Sequence, residues 1–93
     1  MTVATLRLDL RVSHCPAPRD RRRQMQAIME KLRRHFNVAV ADAEGPGGSD
    51  VSVLLVATVA RSRKDARETL ERVADALAAH PRAEILGQVI HEV

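Results

Sequence analysis

The sequence predicts an α+β domain whose elements follow the order strand, helix, strand, strand, helix, strand. Three observations carry that prediction. Residues 2–12 alternate, with Val3, Leu6, Leu8, Leu10 and Val12 apolar and Arg7, Asp9 and Arg11 between them, the period-two signature of a strand buried on one face. Two stretches carry apolar residues at helical spacing: Met25, Ile28, Met29, Leu32 and Phe36 in the first, Ala66, Leu70, Val73, Ala74 and Leu77 in the second. Residues 51–60 (VSVLLVATVA) are apolar almost throughout, as in a central strand covered on both faces. This order is that of a ferredoxin-like βαββαβ fold, a four-stranded antiparallel sheet with two helices on one face, formed by residues 1–93 as a single domain.

Each element has its own punctuation. SHCPAP at 13–18 ends the first strand, and Pro18 suits the first position of a helix, where its missing N–H leaves no bond unmade. Asp20 sits in the first turn, where a carboxylate complements the dipole. The first helix is predicted over about 18–36, with a left-handed cap at Asn37. A short strand follows at about 37–43, then a hairpin with a loose tip at EGPGGSD. Ser62 and Asp65 give an S-x-x-D capping pattern for the second helix, and His80-Pro81 ends it. Residues 83–93 form the last strand, with Gly87 marking a bulge.

Charge is divided unevenly along the chain. Residues 1–36 hold nine Lys/Arg and three Asp/Glu, a balance of +6; residues 37–93 hold six and nine, a balance of −3; together they give the net +3. Six arginines of the first helix, Arg19, Arg21, Arg22, Arg23, Arg33 and Arg34, are the candidates for neutralising phosphates of a nucleic acid. Base stacking on the sheet is excluded by composition, because Phe36 is the one aromatic residue and it belongs to the core stripe of the helix. A solubilising surface balanced by the acidic half is the plain alternative.

The uncovered sheet face offers a second candidate. Leu54 and Val56, with Ala39 and Ala41, are placed there beside Thr5, Arg7 and Arg11. Leu54, Val56 and Arg7 are therefore the candidate contacts of a homodimer, or of a protein-interaction module without a nucleic-acid role.

No chemistry-bearing motif accompanies these surfaces. GPGG lies in a hairpin without a following Lys-Ser/Thr, and HExxH, CxxC and GxSxG are missing from the sequence. The single Cys15 forms no internal disulfide; it lies near a helix start and several arginines, which favour a thiolate, yet a lone loop cysteine is an incidental residue as a rule. His14 and Cys15 are adjacent, so in an extended segment their side chains diverge, and His35, His80 and His91 lie elsewhere. The expectation is a non-enzyme without metal, cofactor or small-molecule substrate. No apolar run reaches the ~20 residues that span a membrane, and the alternating, charged N-terminus reads as neither signal nor anchor. A cytoplasmic, non-membrane protein is expected.

At the first helix the chain resembles the YlxP-like family of small bacterial proteins of unknown function. That family reads Ser-Leu-Lys-x-Lys-Arg, then a helix, then Arg-Phe-Asn-Val-Ser-Val-Ala-Glu. The matching residues are Ala17-Pro18-Arg19-Asp20-Arg21-Arg22 and His35-Phe36-Asn37-Val38-Ala39-Val40-Ala41-Asp42, without a gap. The similarity continues through VSVLLVATVARSRKDARETLERVADALAAHPRAEIL. Ala17-Pro18 departs from Ser-Leu, and His35 from the usual Arg. The resemblance implies a ferredoxin-like fold and keeps the basic cluster at Arg19, Arg21 and Arg22. The family's genes tend to lie near those for translation initiation and ribosome maturation. The resemblance thereby implies, by association, a bacterial accessory protein acting around ribosomal RNA or a ribosomal subunit; it supplies no activity.

Overall fold

Strand β1 (Thr2–Val12) lies inside the sheet, with a hydrogen-bonded strand on each side. In a computed structural model describing residues 1–13, 15, 17–43 and 51–93, it is followed by α1 (Pro18–His35), β2 (Ala39–Asp42), β3 (Val51–Ala60), α2 (Arg63–Ala78) and β4 (Ala83–Glu92). The strands form one sheet of order β2-β3-β1-β4 with every adjacent pair antiparallel, and the helix stripes pack onto one side of it. This is the ferredoxin-like arrangement that the element order predicts. The hairpin tip assigned to EGPGGSD falls on residues outside those described.

The core follows from two periodicities meeting. Ala4, Leu6, Leu8, Leu10 and Val12 point from β1 toward the helices, and Met25, Ile28, Met29 and Leu32 of α1 close over them with Ala66, Leu70, Val73, Ala74 and Leu77 of α2. Burying one such side chain is worth about 1.5–3 kcal/mol. The α1 stripe lies on β2 and β1, whereas α2 spans β1, β3 and β4.

One assignment is corrected. Leu54 and Val56 do not lie on the open face; they are 0% and 1% exposed, under the helices. The register pairs Leu8 with Leu54 and Leu6 with Val56, so they share the buried side of β1. The opposite set of β3, which is Val51, Val53, Leu55, Ala57 and Val59, faces away from the helices beside Arg11, Asp9, Arg7, Thr5 and Val3. The buried set includes Ser52 and Thr58, whose polarity argues for the water side. Thr58 is held inside because its Oγ1 donates to the Asn37 carbonyl at 2.8 Å, fixing the path from α1 into β2.

Two boundaries also move. Helix α1 ends with Phe36 as its C-cap in an extended conformation, its N–H donating to the Leu32 carbonyl, rather than with a left-handed Asn37. Strand β2 has four residues, not seven. The irregularity expected near Gly87 is present: the register shifts between Asp9 and Leu10, leaving Leu86 as the extra residue between Gly87 and Ile85.

Candidate functional site

Helix α1 sorts its arginines by position on the helix. Arg21 is four residues before Met25 and seven before Ile28, so it falls on the core stripe and is half-buried. Arg33 is exposed, but its Nη2 donates to the Val40 carbonyl at 3.2 Å. The Ala43 N–H donates to the Val53 carbonyl, so the backbone N–H and C=O groups of the odd residues of β2 face β3, and those of Val40 and Asp42 point to the free edge. Arg33 thereby covers part of an edge that is otherwise open to pairing.

The exposed residues Arg19, Arg22, Arg23, Gln26, Glu30, Arg33 and Arg34 recur at three- and four-residue steps, making one stripe along the helix. Glu30 lies one turn before Arg33 and Arg34 and offsets them locally. The first turns hold a single carboxylate, Asp20, against Arg19, Arg22 and Arg23. Asp20 accepts from the Ala17 N–H at 3.2 Å, which is half of a capping box; the Ala17 methyl supplies no reciprocal acceptor. Arg19, Arg22 and Arg23 make no ion pair with any described residue. About 22 Å of helix separates Arg19 from Arg34 at ~1.5 Å rise per residue. The six predicted residues therefore resolve into an N-terminal cluster of Arg19, Arg22 and Arg23, an isolated Arg34, and two arginines with structural tasks.

The open sheet face has a different chemistry. Arg7 lies on it as predicted, but its Nε is paired with Asp9 Oδ1 at 3.2 Å, and Arg11 is paired with Glu84 at 3.6 Å. The neighbouring rows are apolar: Leu55 is 42%, Val59 53%, Val89 63% and Val3 37% exposed. Ala39, Ala41 and Ala57 leave a shallow depression of about 460 Å³ between Thr5 and Leu55. Leu55 and Val59 were missed in the sequence, because β3 is apolar on both sides and its parity is set by the register alone.

A groove of about 410 Å³ runs between the C-terminal parts of the helices, with Leu32, Phe36 and Leu77 in its wall and Lys31, His35 and His80 beside them. His80 Nδ1 accepts from the Arg82 N–H at 3.1 Å. Burial, then the charges of Lys31 and Arg82, hold its pKa below the ordinary value. These basic groups stand where helix C-termini favour positive charge, so helix electrostatics accounts for them. Cys15 is half-buried, with its Sγ 3.4 Å from the Ser13 carbonyl. No three His, Cys, Asp or Glu side chains among the described residues stand together as metal ligands. No helix among them is long and apolar enough to cross a membrane.

Comparison with curated proteins finds no match. A family model does match, over residues 3–89, and its description is "Protein of unknown function (DUF503)".

Proposed function

Because the chain belongs to the DUF503 (YlxP-like) family, whose description assigns no activity, its role has to be argued from its surfaces, and we propose that it is a non-catalytic accessory protein of the cytoplasm that binds the phosphate backbone of structured RNA. The N-terminal turns of α1 make the contact. The observation that carries this reading is the placement of Arg19, Arg22 and Arg23, exposed and without a carboxylate partner among the described residues, at the positive end of a helix dipole. Three cations there oppose the dipole, an arrangement that local stability disfavours by up to ~1 kcal/mol for the terminal charge. A bound phosphate turns the same repulsion into attraction, since both the arginines and the positive end of the dipole then face an anion. The ribosomal setting implied by the family's gene neighbourhood agrees with an RNA partner, and a ribosomal subunit is the natural one to test.

The test is anisotropy of labelled ribosomal RNA fragments, with sedimentation on small ribosomal subunits. Binding is expected at about 50 mM salt, weakening with a log–log slope of roughly −2 to −3 for three phosphates. Arg22→Glu with Arg23→Glu removes it. Arg19→Glu weakens binding at least tenfold while raising folding stability by about 0.3–1 kcal/mol, because a carboxylate then sits in the first turn. Absence of binding at low salt, or indifference to the double charge reversal, refutes the reading.

A further inference from the structure

We propose that the open face of the sheet is the contact surface of a symmetric homodimer, two copies stacking face to face through all four strands. Strand β3 has its polarity inverted. Of its two side-chain sets, the one turned toward the helices contains Ser52 and Thr58, and the one turned away is Val51, Val53, Leu55, Ala57 and Val59, without a polar member. A strand face meant for water shows the reverse preference. Neighbouring strands extend the apolar surface in register: Val3 beside Val59, Ala39 beside Ala57, Ala41 beside Leu55, and Val89 across Arg7 from Leu55.

A second copy fits this surface better than a nucleic acid does. The charges on it are paired internally, Arg7 with Asp9 and Arg11 with Glu84, which leaves little to attract phosphate. Both signs are present, so two identical faces meet without like-charge conflict. The size suffices: three strands of about 33–36 Å and the four-residue β2 of about 13 Å, spaced about 4.8 Å apart, give roughly 550 Å² per copy, or about 1,100 Å² in total, just above the ~1,000 Å² that a biological interface should clear. The surface is also self-complementary. Leu55 projects beside the depression lined by Thr5, Ala39, Ala41 and Ala57, and a two-fold axis near Thr5 seats the Leu55 of each copy in the depression of the other. The interaction stands apart from the RNA reading, since α1 lies on the other side of the sheet.

Sedimentation equilibrium between 1 and 100 µM decides the matter. The expected mass is twice the 10.3 kDa of the chain. Leu55→Arg enters a two-fold contact twice and is expected to raise the dimer Kd at least a hundredfold; Val59→Arg is expected to raise it at least tenfold. Both residues are exposed, so thermal unfolding of the two variants, monitored by circular dichroism at matched monomer concentration, stays cooperative. Arg22→Glu on α1 leaves the dimer intact. A wild-type chain that is monomeric at 100 µM overturns the proposal. So does a dimer that tolerates both substitutions, which would place the contact elsewhere, for instance along the free edge of β4.

Discussion

The two helices lie on the same side of one sheet and are nearly equal in length, 18 and 16 residues, yet their ends are built differently. Helix α2 is capped by Ser62, whose Oγ accepts from the Asp65 N–H at 3.1 Å, and Asp65 stands in its first turn. Its early arginines, Arg63 and Arg67, are both tied to Glu92 at the end of β4. Helix α1 begins at an alanine whose N–H donates to the Asp20 carboxylate, and then displays three arginines without ion-pair partners among the described residues. In the middle the helices are alike, each with side chains fully removed from water. The comparison therefore separates packing, which the helices share, from end chemistry, which they do not. The α1 terminus thus lacks a side-chain acceptor at its cap and sets three arginines around its single first-turn carboxylate, Asp20, whereas the α2 terminus has the cap and ties its arginines to Glu92.

The largest expected effect tests the shared part. Leu70 of α2 and Met25 of α1 are both 0% exposed. Truncating either to alanine is expected to cost about 2–5 kcal/mol in urea unfolding, from lost transfer energy plus the cavity left behind. Near equality of the two supports the symmetry of packing. A Met25→Ala loss below ~1 kcal/mol would break it and make α1 a loosely seated element.

A smaller effect tests the ends. Ser62→Ala is expected to cost about 1 kcal/mol, the ordinary loss for a serine N-cap. Ala17 already has the extended backbone of an N-cap, with φ −126° and ψ 153°. Ala17→Ser supplies the missing acceptor and is expected to gain about 0.5–1 kcal/mol. Opposite signs for the two substitutions sharpen the contrast, whereas a neutral Ala17→Ser would mean the first turn of α1 is already satisfied.

What could be read from the sequence follows the same division. The stripes of both helices, the buried face of β1, the Ser62 cap and the bulge near Gly87 were legible, because each is fixed by local spacing or one residue's chemistry. The ends of α1 were partly legible: Arg21 shares the spacing of Met25 and Ile28, so its half-burial was available from periodicity, but the bond from Arg33 to Val40 depends on where β2 comes to lie. The facing of β3 was not legible. Every residue from Val53 to Val56 is apolar, so alternation carries no sign, and the two polar residues that break the tie point inward. Thr58 has a carbonyl to satisfy there, and Ser52 Oγ is buried without a partner among the described residues. Register, a property of the pairing, decided what composition left open. The surface proposed for the dimer was displaced by one residue for that reason, from Leu54 and Val56 to Leu55 and its neighbours.

The smallest effects concern protons, and they too belong to α2. The Glu92 carboxylate is held below its ordinary pKa of 4.5, first by the hydrogen bond from Arg63, with Arg67 adding to it. The native state therefore binds a proton at Glu92 less readily than the unfolded chain. The stability this contributes is present above the ordinary value and is lost as pH falls through the lower native one. His80, just past the end of α2, is also lowered, from 6.5, by burial and by the charges of Lys31 and Arg82; His35 shares the same groove. Its neutral form is favoured in the fold, so stability declines as pH drops below 6.5 and levels off beneath the native value. The two windows are distinct, and unfolding free energies measured from pH 7 to 3 should show both. His80→Asn retains an acceptor for the Arg82 N–H without titrating and is expected to flatten the upper window; Glu92→Gln is expected to flatten the lower one. If the acid response survives both substitutions, the sensitive groups lie elsewhere than beside α2, and the contrast between a stabilised α2 and the α1 terminus proposed to bind RNA loses its electrostatic support.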